Sequence, residues 1–188
     1  MQWSNPNTTG ETPPPCRAHT ATLVDKKLVV FGGGEGPIYY NEVYVLDTVT
    51  RQWQHPKLGT PSSPPGTPGA GSHEGQFPPT VPPPRRAHTS VLYRGRIWIF
   101  GGGNGTQALN DLWTLEVGNN ASVDKMKWEL IKTEGKTPSP RGYHTANLVG
   151  NIMIVVGGSD GRECFSDIWC LNLGKEMSHK PWLEILCS

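Results

Sequence analysis

Three glycine clusters hold the first residues with candidate chemistry. "VVFGGGEG" (29–36), "IWIFGGGNG" (97–105) and "IMIVVGGSDG" (152–161) each set an apolar run against glycines, as where a strand passes into a phosphate-cradling loop. A phosphate loop also needs a terminal Lys-Ser/Thr pair and a helix whose N-terminus meets the anion. No lysine stands in that place, and the glycines lead into further strand-like residues. "GGSDG" (157–161) fits the G-x-S-x-G pattern with Ser159 as nucleophile, but that pattern requires a strand-to-helix turn. Ser159 aligns with Gly34 and Gly103 of the other clusters and reads as a loop serine. His19, His88 and His144 are equivalent positions that could ring a metal. Their recurrence argues for a shared structural task, such as an imidazole bonded to a neighbouring backbone group. No catalytic residue, metal ligand or cofactor is assigned.

The elements that position these residues form a repeat. His19-Thr20, His88-Thr89 and His144-Thr145 precede Gly32-Gly33, Gly101-Gly102 and Gly157-Gly158 at one constant interval. "NEVYVLD" from Asn41, "NDLWTLE" from Asn110 and "SDIWCLN" from Ser166 come next, and Trp53, Trp128 and Trp182 close the units. Each unit contains four short strand-like runs, in the first "HTATLV", "KLVVF", "EVYVLD" and "RQWQ", which together make a four-stranded antiparallel sheet with strands A to D. The runs before the glycines (Leu28 to Phe31, Ile97 to Phe100, Ile152 to Val156) are apolar throughout, so both faces of those strands need cover. A sheet covered on both faces by copies of itself is a propeller blade.

The period near about fifty residues, the glycine pairs, the strand C aromatic (Tyr44, Trp113, Trp169) and the late tryptophan resemble the kelch repeat over nearly the whole chain. More narrowly, "PPPRRAHT…FGGGNGTQALNDLW…RGYHTANLVG" is similar to the fungal kelch proteins of the cell-end, tip-elongation type. The expected fold is an all-β, kelch-type β-propeller segment of three four-stranded antiparallel blades plus one orphan outer strand. Residues 1–12, with Trp3, form the outer strand of a preceding blade. Residues 13–55, 85–137 and 138–188 form blades one to three. The Pro, Gly and Ser-rich stretch 56–84 is expected to be disordered, and "GNNASVDKM" (118–126) is expected to be a longer surface loop.

Composition narrows the function. The 188 residues include 23 Gly and 18 Pro, which break helices. A formal charge of +1 lacks the basic excess that nucleic acid demands. No apolar run approaches a membrane span, and "MQWSNPNTTG" has no charged or apolar leader pattern, so the expected location is cytoplasmic. Cys16, Cys164, Cys170 and Cys187 lack metal or disulfide-framework spacing and read as reduced thiols.

In an up-and-down blade the D-to-A and B-to-C loops share one face of the disc. That face collects Arg17, Arg86 and Arg141 near the starts of the A strands, with Glu35, Tyr39, Tyr40, Asn104, Gln107, Asp160 and Arg162 in the B-to-C loops. Arg and Tyr are enriched at interface hot spots, so these are the candidate partner-binding residues. A structural bond between blades is the competing reading for the arginines. The expected function is a non-enzymatic protein-interaction scaffold that grips an acidic or tyrosine-accepting segment and, by the fungal resemblance, serves cell polarity or cytoskeletal organisation. Such a chain would be part of a larger propeller, or self-associating. The alternative implied by the kelch resemblance is an oxidase or metal-dependent enzyme fragment, for which Tyr39, Tyr40 and Cys164 supply ligand types.

Overall fold

The computed structural model describes residues 1–59 and 80–174 and the backbone of Trp182–Ile185. Its strands are β1 (Thr9–Gly10), β2 (Thr20–Val24), β3 (Lys27–Phe31), β4 (Gly34–Glu35), β5 (Ile38–Tyr39), β6 (Val43–Asp47), β7 (Gln52–Gln54), β8 (Thr89–Tyr93), β9 (Arg96–Gly103), β10 (Ala108–Glu116), β11 (Lys127–Ile131), β12 (Thr145–Val149), β13 (Ile152–Ser159), β14 (Cys164–Asn172) and β15 (Trp182–Ile185). Among the described residues the only helical piece is a single 3-10 turn at Val123–Lys125. The chain is all-β, as the glycine and proline content demands.

Strands β2-β3-β6-β7, β8-β9-β10-β11 and β12-β13-β14-β15 make three antiparallel sheets in simple meander order. They stack as successive blades of a propeller segment. The central strand β9 buries both faces: Ile97 and Ile99 enter one core together with Val29 and Phe31 of β3, whereas Trp98 and Phe100 enter the next. The first core also takes Val43, Val45, Trp113, Leu115 and Trp128. The second joins Leu112 and Ile131 to Met153, Val155, Trp169 and Leu171 of the third blade. An uninterrupted apolar strand thus serves two interfaces, and Thr22 Oγ1 bonds Ser90 Oγ at 2.8 Å where the inner A strands of the first two blades meet.

Two peripheral segments differ from expectation. Trp3 belongs to no strand and is fully exposed; instead Thr9 and Gly10 pair in parallel with Gln52 and Trp53 on the outer edge of the first blade. The loop 118–126 is docked rather than free: Ala121 and Met126 are buried in the first core, and Lys27 Nζ donates to Ala121 O at 3.4 Å. Most of the stretch expected to be disordered, 60–79, lies outside the described residues, but its flanks are packed, with Leu58 and Val81 lying against the first core.

The glycine pairs are explained by crowding between strands. A Cβ on Gly101 (φ +63) would sit 2.6 Å from Arg141 O and 3.1 Å from His144 Cε1, both in the next blade. One on Gly102 (φ +95) would meet Arg86 O at 2.7 Å and His88 Cβ at 2.9 Å in its own blade. The first glycine therefore admits the neighbouring blade, and the second admits the A strand. Gly101→Ala should cost about 2 kcal/mol or more, since the left-handed conformation alone is worth about 1–2 kcal/mol. Gly118→Ala is the control: φ is +61 there too, with nothing within 4 Å of the added carbon. Urea midpoints of the two variants isolate the crowding, and equal losses would show that the blades do not need this close approach.

Candidate functional site

The arginines of the A-strand entrances divide into two kinds. Arg141 is completely buried, and so is Arg85, one residue before the expected Arg86. Arg85 donates to both oxygens of Asp111 at 2.7 Å, to Gly101 O at 3.0 Å and to Pro83 O at 3.2 Å. Arg141 repeats this with Asp167, Gly157 O and Ser139 O. Each carboxylate also accepts from the indole Nε1 of the strand C tryptophan at 2.7 Å, Trp113 and Trp169 respectively. The hydrogen bonds from Arg141, assisted by Trp169, hold the Asp167 carboxyl below its usual range. The Phe165 ring lies 4.4 Å from the guanidinium carbon of Arg141. The expectation that Arg141 meets a partner is corrected: a guanidinium taken fully out of water must spend its donors internally.

In the first blade this triad is replaced by Cys16, Glu42 and Tyr44. Cys16 Sγ lies 3.4 Å from His19 Nδ1, burial pushes its thiol pKa up, and Tyr44 stacks on His55 with ring centres 4.2 Å apart. The equivalence was readable once the units were aligned on His. Arg three residues before His and Asp two before the strand C aromatic occur together in blades two and three and are both absent from blade one.

Two of the three repeated histidines, His88 and His144, bond between blades, whereas His19 is exposed and lies against Cys16 of its own blade. His88 Nε2 lies 2.9 Å from Thr20 Oγ1, and His144 Nε2 lies 2.8 Å from Thr89 Oγ1. Beside them Ala87 N donates to Ala18 O at 2.9 Å and Tyr143 N to Ala87 O at 3.0 Å. Ala18, Ala87 and Tyr143 all have φ near +58, at 57, 58 and 58. Burial first, then the neighbouring arginine, pushes His88 down to about 3 and His144 to about 4. Neutral imidazoles within a ring of inter-blade bonds are structural parts.

A cleft of about 250 Å³ opens on the face shared by the B-to-C and D-to-A loops. Of the expected residues, Tyr39, Arg86, Gln107 and Asp160 line it, and Tyr143 and Ser159 join them. Arg86 lies over the Tyr39 ring at 4.5 Å and gives one hydrogen bond, at 3.3 Å, to Gly36 O. This clasp ties the first blade's hairpin to the second blade. Tyr143 was not anticipated. It is 72 % exposed and holds the left-handed backbone that its counterparts Ala18 and Ala87 adopt, a conformation costly for an aromatic residue.

The remaining expected residues are placed otherwise. Arg17 and Glu35 line a second recess, of about 340 Å³, with Pro15, Cys16, Gly34 and Gly36. Asn104 staples its own loop, its Oδ1 accepting from Thr106 N and Gln107 N at 3.0 Å. Asp160 does the same for Arg162 N and Glu163 N at 2.8 Å, and those bonds hold its carboxyl below the usual range. Arg162 is exposed on that loop. Tyr40 carries an inter-blade brace, its carbonyl accepting from Arg85 N at 3.0 Å. Cys164 is an exposed residue of β14 opposite Ser159, and it does not line the cleft that Tyr39 borders. Among the described residues, no group of three or more His, Cys, Asp or Glu side chains is placed to hold a metal ion.

Comparison with known proteins agrees with the architecture. Host cell factor of Drosophila melanogaster is 32% identical over 169 residues, covering 79% of this chain and 10% of its own. Host cell factor 1 of Homo sapiens is 32% identical over 166 residues, covering 78% of this chain and 7% of its own. The flagellar outer-arm dynein alpha chain of Chlamydomonas reinhardtii is 28% identical over 184 residues, covering 93% of this chain and 4% of its own. The chain thus spans a tenth or less of the length of these relatives. The model of the KLHDC2/KLHL20/DRC7 Kelch-repeats domain matches residues 1–77 and 72–187. With its three blades, glycine pairs and inter-blade histidines, the chain belongs to the kelch-repeat family.

Proposed function

We propose that this chain is a non-enzymatic protein-interaction module that holds an extended acidic segment of a partner in the cleft of Tyr39, Arg86, Gln107 and Tyr143. The observation that carries this reading is Tyr143: an exposed aromatic ring kept on a strained backbone at the cleft wall. Exposed aromatic and arginine side chains in one concavity are the usual anchors of protein recognition. Arg86 supplies the charge. Among the described residues it makes one hydrogen bond and one ring contact, so further guanidinium donors stay available for a carboxylate. Arg17 and Arg162 extend the same face, with Glu35 and the loop of Asn104 setting its rim.

The narrower role in cell polarity or cytoskeletal organisation rests on the fungal resemblance of "PPPRRAHT" and "RGYHTANLVG". A cytoplasmic setting is supported by the free thiols of Cys16, Cys164 and Cys170. No helix of the described residues is long and apolar enough to cross a membrane.

Selection of linear peptides from a display library tests the reading. Peptides enriched in Asp and Glu should emerge, and Arg86→Ala and Tyr143→Ala should each weaken them about tenfold, the scale of a lost charge-assisted contact or aromatic anchor. Tyr143→Ala should leave the melting temperature nearly unchanged, because the ring is exposed and the left-handed penalty, set by Cβ, is common to both residues. Peptides that bind both variants as tightly as the parent would place recognition elsewhere.

A further inference from the structure

The loop between β9 and β10 carries the parts of a reaction that needs only water. Asn104 and Gly105 are the one Asn-Gly pair of the chain. In such a pair the main-chain nitrogen of the glycine attacks the side-chain amide carbon, since no Cβ hinders the approach. Here the loop assists both ends of that attack. Asn104 Oδ1 accepts three hydrogen bonds, from Thr106 N at 3.0 Å, Thr106 Oγ1 at 2.9 Å and Gln107 N at 3.0 Å. These donors converge on the atom where negative charge gathers as the amide carbon becomes tetrahedral, the arrangement of an oxyanion hole. Gly105 N, the attacking atom, donates to nothing among the described residues, so it gives up no bond on reacting. The glycine is also imposed on this position: φ is +96, and a Cβ would meet Tyr39 Cε2 of the first blade at 3.0 Å.

Blade three holds the product of the same reaction in the same loop. Asp160-Gly161 stands where Asn104-Gly105 stands. Asp160 Oδ1 accepts from Arg162 N and Glu163 N at 2.8 Å, as Asn104 Oδ1 does from Thr106 N and Gln107 N. A carboxylate therefore fits this turn. The loop's N–H groups hold the Asp160 carboxyl below its usual range, and an ionised carboxylate is a poor leaving group, so an aspartate once formed here does not readily react again.

We infer that Asn104 is a self-modifying site, where the folded loop promotes deamidation and adds a negative charge at the rim of the Arg86 cleft. Gly105 N bonds to Asn104 Cγ while the Cγ–Nδ2 bond breaks, and ammonia leaves with the Gly105 amide hydrogen. The product is a succinimide ring. Water adds to either ring carbonyl and opens it to aspartate or isoaspartate, so a neutral amide becomes a carboxylate and nothing is oxidised or reduced. Gly105, Thr106 and Gln107 line the cleft with Arg86. The new charge repels the acidic segment assigned to that cleft, a consequence that rests on the reading proposed above.

Peptide mapping by mass spectrometry, on the 188-residue chain kept at neutral pH either folded or in guanidinium chloride, follows the chemistry without any ligand. Asn104 should convert at least as fast in the folded protein as in the unfolded one. Thr106→Val removes the hydroxyl donor and should slow conversion of the folded protein roughly two- to tenfold, the worth of one net hydrogen bond, with no effect on the unfolded chain. Circular dichroism confirms that this variant is folded. Slower conversion in the folded protein than in the unfolded one, or a Thr106→Val rate equal to the parent's, would overturn the proposal. Asn104→Asp carries the product charge and should bind Arg86-dependent acidic peptides about two- to fivefold more weakly at low salt. An unchanged affinity would overturn the charge effect, whereas failure to find any Arg86-dependent peptide would sink the cleft reading and leave the chemistry of Asn104 to be decided by its own rates.

Discussion

Asp111→Ala is expected to lower the melting temperature by about 10 °C, an unusually large effect for a side chain that is partly exposed. The reason lies in what it leaves behind. Arg85 is 0 % exposed and places both of its terminal nitrogens on this carboxylate, and breaking such a pair from one side costs about 3–5 kcal/mol because the remaining charge stays buried. The indole N–H of Trp113, in the first core, loses its acceptor as well. For a domain of this size each kcal/mol is worth about 2–4 °C. Replacing both members, Arg85→Met with Asp111→Leu, should recover most of the loss and leave roughly 1 kcal/mol for the unpaired indole. Thermal denaturation of the three proteins measures this. If the double variant is as unstable as the single one, hydrogen bonding to Gly101 and Pro83, rather than charge, is the main contribution of Arg85.

Acidification should unfold the protein well before its carboxylates protonate. His88 and His144 are held neutral, at about 3 and about 4, by burial and by Arg85 and Arg141. The unfolded chain binds a proton at each near pH 6.5, and the folded chain does not until those lower values. The stability from excluding these protons is therefore fully present above about pH 7 and is lost as pH falls from about 6.5 toward 4 and then 3. Two such groups give a slope on the order of 2 kcal/mol per pH unit between about 6 and 4.5. The carboxylates with lowered values, Asp47, Asp160 and Asp167, act in the other window: their contribution is present above about pH 4 and lost below it. Urea midpoints at pH 7.5, 6 and 5 separate the two. His88→Gln with His144→Gln should start from a lower stability and show a nearly flat profile over that range; an unchanged slope would assign the acid sensitivity to other groups.

How much of the molecule could be read from residue order follows from the range of the interactions involved. The blades were legible because each is built from neighbours in sequence. Apolar runs such as Leu28 to Phe31 announce strands buried on both faces, and the constant interval from His to the glycine pair reflects one A–B hairpin made three times. The glycine pairs themselves invited a phosphate reading. Only the approach of Arg141 O and His144 Cε1 to Gly101 shows that they make room for another blade.

The loop face that holds the cleft was legible, but which of its side chains line the cleft was not. In "PPPRRAHT" two adjacent arginines point opposite ways along an extended chain: Arg85 turns inward to Asp111, far along the sequence, and Arg86 turns outward over Tyr39. Nothing local distinguishes them, because the choice depends on a carboxylate brought in by strand C. Arg141 carries no such neighbour and was misread for the same reason. Asn104 and Asp160 read as candidate partner-binding groups and are spent on their own loops, whereas Tyr143, which lines the cleft, was not singled out. Strand periodicity and repeat spacing are properties of the chain alone. Which polar group meets water and which meets a buried partner is decided only when the blades stack, because the low polarity between them makes an unpaired charge too costly to leave in place.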